Sequence, residues 1–335
     1  MFNKKIPFYY LILSTLLGVG IAYVFFIFAS KPSTVTNNKP TNTSSNNCNY
    51  NISRLGGYHF ISPLLFAEQE CESDNLSSVK IDLMNYIEEA KKVGNISTAS
   101  IYLRKYSGGD WISINSDEQY HPSSLIKVPL MIAYLRMAET NPKLLDQEIF
   151  FERHDPSLPV QAFKEEGLQP GHKYSIKTLL HYLIARSDND ASVLLFKLVD
   201  QKVYNKTFTD IDLPAPPPNF SDMRITAKDY SLFLKELYNA SYLTIPASEF
   251  ATSLLAESTF KDGLAKGLPS NIKIAHKFGE WGDGHTFELH ESGIIYLDNN
   301  PYLITVMTRG NDFAKLSNVI GDISKLTYEK LITHS

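Results

Sequence analysis

His121-Pro-Ser-Ser-Leu-Ile-Lys-Val-Pro129, followed by Leu130-Met-Ile-Ala-Tyr-Leu135, is the stretch on which the reading of this chain turns. Leu125 to Met137 has the pattern of a helix that ends before Asn141-Pro142. Ser124 and Lys127 stand at its start, three residues apart, so hydroxyl and amine share one face. A serine hydroxyl is a poor nucleophile without a base in hydrogen-bond reach. A lysine can be that base only if burial or a neighbouring cation lowers its pKa. Backbone N–H groups at a helix start can also stabilise an oxyanion. The spacing alone decides nothing: Ser77/Lys80, Ser124/Lys127, Ser258/Lys261 and Ser270/Lys273 all share it. A capping Ser with an exposed Lys one turn on is its ordinary meaning. Only Ser124 precedes the strongly apolar Val128, Met131, Ile132 and Leu135, as a central buried helix requires.

Two further segments single out Ser124. Ser187-Asp188-Asn189 lies between helical stretches at Tyr174–Arg186 and Ala191–Val199. It reads either as a helix cap or as a hydroxyl relay plus an amide that binds substrate and lysine. Lys277-Phe278-Gly279 ends a strand and is followed by Glu280-Trp281. A Lys there would lower the pKa of Lys127 and attract a carboxylate, and Gly279 would let a ligand approach the strand edge. The plainer meaning is an edge-strand Lys that discourages aggregation.

Outward from these points the chain alternates between classes. Val79, Leu83, Tyr86 and Ile87 recur at helical spacing. Ser97–Tyr106 and Trp111–Ile114 flank Ser107-Gly-Gly-Asp110 as a hairpin. Thr226–Tyr238 and Ala247–Ala256 read as helices, and Asp212–Asn219, with four prolines, as an irregular loop. Ile272–Phe278, Phe287–Leu297 and Tyr302–Thr308 read as strands, and Asp312–Ile332 as a closing helix. The expected fold is α+β. Five strands from both ends of the chain join one sheet, and the helical middle forms a lobe that leaves a cleft, a natural ligand site.

The 335 residues carry a formal net charge of −4, which gives no basic surface for nucleic acid. No Cys-x-x-Cys or His-Glu-x-x-His spacing occurs, so neither a metal nor another cofactor is expected. Pro7–Ala29 holds no charge, is long enough to span a bilayer as a helix, and follows Lys4 and Lys5. A cleaved signal peptide is the rival reading. The expected organisation is a transmembrane anchor at 1–30, a flexible extracytoplasmic stalk at 31–75 and a catalytic domain at 76–335, on a single-pass monomer. Lys31–Asn47 is rich in Ser, Thr, Asn and Pro. Leu55–Phe66 is more apolar and is expected to pack on the domain. Cys48 and Cys71 can pair outside the cytoplasm, where the link would contribute about 3 kcal/mol, or remain free thiols.

Together the three segments resemble the Ser-x-x-Lys, Ser-Asp-Asn and Lys-Thr-Gly set of class A β-lactamases and penicillin-binding proteins. Gly263-Leu-Ala-Lys-Gly-Leu-Pro269, His290-Glu-Ser-Gly-Ile-Ile295 and Ile304–Gly310 resemble the same family, over Ser77–Leu331. The resemblance implies a β-lactamase/transpeptidase-like fold with a five-stranded antiparallel sheet. It implies Ser124 as acylated nucleophile, Lys127 as its base, Ser187 as relay, and Asn189 as ligand of substrate and lysine. It also implies Lys277 as receptor of a substrate carboxylate and the N–H groups of Ser124 and Glu280 as oxyanion hole. The partner would be a β-lactam or a D-Ala-D-Ala-type peptide.

The sequence departs from that pattern in two places. The family's Glu-x-x-Leu-Asn loop, whose glutamate activates the deacylating water, corresponds to Asp210–Thr226, which contains no Glu. Glu280 or Asp222 could stand in, whereas Glu165 and Glu166 precede Ser187 and fall in the wrong part of the chain. Phe278 replaces the family's Thr or Ser, and Glu280 puts a negative charge where a carboxylate would lie. Three functions follow: a class A β-lactamase-like hydrolase with slow deacylation, a D,D-peptidase or penicillin-binding protein, and a non-catalytic cell-wall sensor.

Overall fold

A computed structural model describes residues 49–163, 165–298 and 300–333, all within one compact unit. The expected anchor, the first part of the stalk and Cys48 lie outside the described residues. Cys71 is disulfide-bonded. Among the described residues no helix is long and apolar enough to cross a membrane.

Five strands form one antiparallel sheet, in agreement with the sequence pattern. In chain order the elements are a hairpin of β1 (Tyr50–Arg54) and β2 (Leu64–Gln69), helix α1 (Ser77–Lys92), and strands β3 (Thr98–Lys105) and β4 (Trp111–Ile114). A tight 3-10 turn, Ser123–Ile126, leads into α2 (Lys127–Thr140). Strands β5 (Glu148–Phe151) and β6 (His172–Ser175) form a second small pair. Helices α3 (Ile176–Ala185), α4 (Asn189–Leu198), α5 (Gln201–Thr209), α6 (Ala227–Asn239) and α7 (Ile245–Ala256) complete the helical part. Strands β7 (Lys273–Gly282), β8 (Phe287–Tyr296) and β9 (Tyr302–Gly310) precede α8 (Phe313–Thr333). The sheet order is β4-β3-β9-β8-β7, so β7 is an edge strand.

Period-2 alternation buries both faces of this sheet. Ile101, Leu103, Ile304 and Val306 pack with Val79, Leu83 and Ile87 of α1 and Val319, Ile320 and Ile323 of α8. Tyr102, Leu303, Met307 and Ile294 face the helical lobe. Every residue from Lys127 to Leu135 is buried, which makes α2 the axis of that lobe. Pro129 is tolerated because it lies in the first turn of α2, where backbone N–H groups lack helical partners. Asp188 caps α4, Asp200 caps α5 and Thr226 caps α6, each accepting backbone N–H groups.

The structure moves the start of the folded domain from residue 76 to the β1–β2 hairpin. Leu55, Leu65 and Phe66 enter the core, as expected for the apolar Leu55–Phe66 stretch. The hairpin is fixed by charge as well as by apolar packing. Glu68 accepts a hydrogen bond from Tyr102, pairs with Arg104 at 2.7 Å and with the 1 % exposed Lys235 of α6 at 3.4 Å. Burial opposes its ionisation, but Lys235, Tyr102 and Arg104 hold the carboxyl below its ordinary value. Such a depressed carboxyl stabilises the fold above the unfolded-state pKa, and the contribution is lost as pH falls through the folded-state value. Glu68→Ala would leave Lys235 buried without its counter-charge. It is expected to cost about 3 kcal/mol or more in urea unfolding near neutral pH, and a loss under about 1 kcal/mol would contradict this account.

Candidate active site

Ser124 sits in the 3-10 turn that feeds α2, and its neighbour Ser123 has φ +50°. The turn is pressed against the edge strand. A Cβ added to Gly279 would lie 2.9 Å from the carbonyl oxygen of Pro122 and 3.1 Å from the backbone nitrogen of Leu125, the residues flanking Ser123 and Ser124. The backbone of Gly279 is ordinary strand, so space and not conformation excludes a side chain. Gly279 therefore serves close packing of β7 on the Ser124 turn, rather than the ligand approach expected for it.

Lys127, the first residue of α2, is buried, and its Nζ lies 2.6 Å from the Ser187 carbonyl, 2.7 Å from Asn189 Oδ1 and 3.3 Å from Ser187 Oγ. The first two are pure acceptors, and together they take the two N–H groups of a neutral amine. Its lone pair then remains for a hydroxyl proton. Burial pushes Lys127 down to about 7, against the opposing pull of Asp188 and Glu280. Lys277 Nζ reaches the same hydroxyl from the other side, at 2.8 Å, and donates to the Phe278 carbonyl at 2.9 Å. Burial, and then the charge of Lys127, push Lys277 well below its ordinary value. Ser187 Oγ thus joins two buried amines, an arrangement through which a proton can pass.

Ser187 is held there by a strained turn. Its φ is +52°, and the next residue, Asp188, accepts the N–H of Ala191 at 2.6 Å and of Leu168 at 3.0 Å. The expected helix cap is therefore present. Asp188 closes the start of α4, while Ser187 and Asn189 turn to Lys127. The sequence reading did not assign Asp188; its helix-cap pattern was the available signal.

A cavity of about 770 Å³ opens beside these groups. Ser124, Lys127, Asn189 and Glu280 border it, together with apolar residues that include Ile126, Val193, Phe196 and Trp281. Lys277 does not border it: at 0 % exposure its ammonium is turned inward. Phe278 leaves the cleft altogether, stacking on Phe260 with ring centroids 4.0 Å apart. The loop between β5 and β6 covers one side through Leu158, Pro159 and Val160. Its hold on the site was not legible in the sequence. Glu280 accepts the N–H groups of Ala162 at 2.7 Å and Phe163 at 3.3 Å, and Gln161 Nε2 donates to the Ser187 carbonyl at 3.3 Å. Burial pushes the Glu280 carboxyl up, offset in part by those two N–H groups and by both lysines. Asp222 is exposed, bonded to Asn219, and absent from the cavity wall, so it is displaced from the role considered for it. No His, Cys, Asp and Glu cluster suited to a metal occurs among the described residues.

Residues 82–331 match the family described as the β-lactamase enzyme family. The chain belongs to that family. It is 25% identical to β-lactamase VEB-1 of Pseudomonas aeruginosa over 240 residues, covering 65% of this chain and 80% of that protein. Among solved structures it resembles a class A β-lactamase from Mycobacterium abscessus, with a TM-score of 0.63 and 18% identity over 74% of this chain and 99% of that one. It equally resembles the L158E mutant of PBP-A, described as an acyl-enzyme complex with penicillin G, with a TM-score of 0.62 and 17% identity over 75% and 96%. These likenesses establish a β-lactamase-like α+β fold.

In this family member the packing of Gly279 is a direct test of the site's construction. Gly279→Ala is expected to slow covalent labelling of Ser124 by a β-lactam by about 10²-fold, the scale of an ångström-level misplacement, while circular dichroism stays unchanged. Labelling at the wild-type rate would show that β7 does not position the turn.

Proposed function

We propose that the chain is a serine acyl hydrolase of the class A β-lactamase type, in which Ser124 opens a β-lactam and holds the product as an ester. The observation that carries this reading is the contact of Lys127 with Ser187, which also meets Lys277, while Lys127 and Ser124 border the same cavity. Neutral Lys127 takes the proton as Ser124 Oγ bonds to the carbonyl carbon. The carbonyl oxygen becomes an oxyanion, received by the backbone N–H groups of Ser124 and Glu280. The C–N bond then breaks, and the proton passes through Ser187 to the leaving nitrogen, returning Lys127 to its neutral form. Asn189 holds both the lysine and the acyl side of the substrate.

Release is the slow half of this cycle. Water attack needs a second base, and the loop that carries one in the resembling enzymes here contributes Phe220 and Ser221 to the cavity wall. Glu280 is the one carboxylate among the residues bordering the cavity, and backbone donors hold both of its oxygens. This feature also favours a second reading, a penicillin-binding D,D-peptidase acting on a D-Ala-D-Ala-type peptide. The uncharged Pro7–Ala29 segment behind Lys4 and Lys5 supports a single-pass anchor with the domain outside the cytoplasm.

The test follows colour and intact mass after the purified chain meets a chromogenic cephalosporin. A persistent mass adduct is expected, absent in Ser124→Ala and formed about 10²–10⁴-fold more slowly in Lys127→Ala. Multiple turnovers without adduct would contradict slow release. No adduct and no colour would overturn the enzyme reading in favour of a non-catalytic sensor.

A further inference from the structure

The charge of the cleft runs opposite to what its motifs lead one to expect. A carboxylate-binding site needs a cation that the ligand can reach. Among the described residues bordering the cavity, Lys127 is the one Lys or Arg, and its hydrogen bonds go to Ser187 and Asn189. Lys277 is fully buried behind the wall, with its donors on Ser187 and on the Phe278 carbonyl. These two amines share one hydroxyl, and burial together with the charge of Lys127 pushes Lys277 down.

Glu280 is the charged group that does face the cavity, and it lies next to the reaction centre. The residue before it, Gly279, packs on Pro122 and Leu125, which bracket the nucleophile turn. Both Glu280 oxygens accept backbone N–H groups, from Ala162 and Phe163. These N–H groups, with the two lysines, favour the carboxylate form against the burial that pushes its pKa up. Two N–H groups leave further lone pairs on the same oxygens. Beside it, Trp281 stacks on His121 with ring centroids 3.8 Å apart and planes 8° apart, which closes that side of the wall with aromatic surface. His121 Nδ1 lies 3.1 Å from Glu288, which engages that nitrogen. A ligand group arriving beside Glu280 therefore meets an acceptor and aromatic faces.

We propose that Glu280 sets the substrate class of this cleft: acyl donors that present an amide N–H or ammonium group beside the scissile bond are selected, and those that present a carboxylate there are disfavoured. This rests on the acyl-enzyme reading of Ser124 and deepens it. The carboxylate of Glu280 attracts the donor and repels a second anion, and the low-dielectric aromatic wall strengthens both effects.

Two matched cephalosporins test it, one with its free ring carboxylate and one in which that carboxylate is converted to an aminoethyl amide. Second-order rates of mass-adduct formation are measured for the full chain and for Glu280→Gln, which keeps an acceptor for the loop while removing the charge. Comparing the amide-to-carboxylate rate ratio between the two proteins cancels the probes' intrinsic reactivity. The ratio is expected to fall at least about tenfold in Glu280→Gln. An unchanged ratio overturns the proposal. If the variant does not fold, the wild-type ratio decides once each rate is divided by that probe's alkaline hydrolysis rate: well above one supports the proposal, and one or below overturns it. If neither probe labels the wild-type chain, the acyl-enzyme reading fails and the proposal falls with it, an outcome distinct from labelling without preference.

Discussion

Two buried lysines meeting on one serine hydroxyl is the constraint around which this molecule is built. Lys127 and Lys277 are 2% and 0% exposed, and neither could carry a full charge there without compensation. Each reaches Ser187, Lys127 from the start of the lobe's central helix and Lys277 from the sheet's edge strand. The contact thus joins sheet to lobe, and it also provides an amine with a free lone pair near neutral pH. The same burial that is costly for the fold pushes the Lys127 amine toward its neutral form.

The supporting parts can be ordered by what they protect in that contact. Asp188 caps α4 and ties down Leu168, which holds Ser187 in its left-handed turn. Gly279 lets β7 lie flat on the turn of Ser124. Glu280 pins the β5–β6 loop against the cleft. Further out, Glu68 neutralises Lys235 and fastens the N-terminal hairpin to α6 and the sheet. Each is a polar or steric device that fixes a backbone position.

Much of this was legible in the sequence. Short runs rich in apolar residues, bounded by turns, marked the five strands, because both faces of the sheet are buried, and the apolar run from Val128 to Leu135 marked the central helix. Ser124, Lys127, Asn189 and Glu280 border one cavity, and Ser187 contacts Lys127. What was not legible depends on contacts across long separations. Glu68 and Lys235 are 167 residues apart, and Glu280 and Ala162 are 118 apart. Helix α5 went unread because Gln201–Thr209 is short and polar on average, with only Tyr204, Thr207 and Phe208 buried. The inward turn of Lys277 was hidden for a related reason. A lysine at a strand end reads as solvent-facing until the acceptor beneath it, here Ser187, is known.

The direct test of this account is the titration of Lys127 itself. Side-chain NMR of lysines labelled at Cε and Nζ, with the signal assigned by its loss in Lys127→Arg, reports the protonation state without any substrate. A midpoint near 7 is expected, since burial favours the neutral amine. A midpoint near the ordinary lysine value of 10.5 would mean that Lys127 stays charged at neutral pH and cannot take the proton of Ser124.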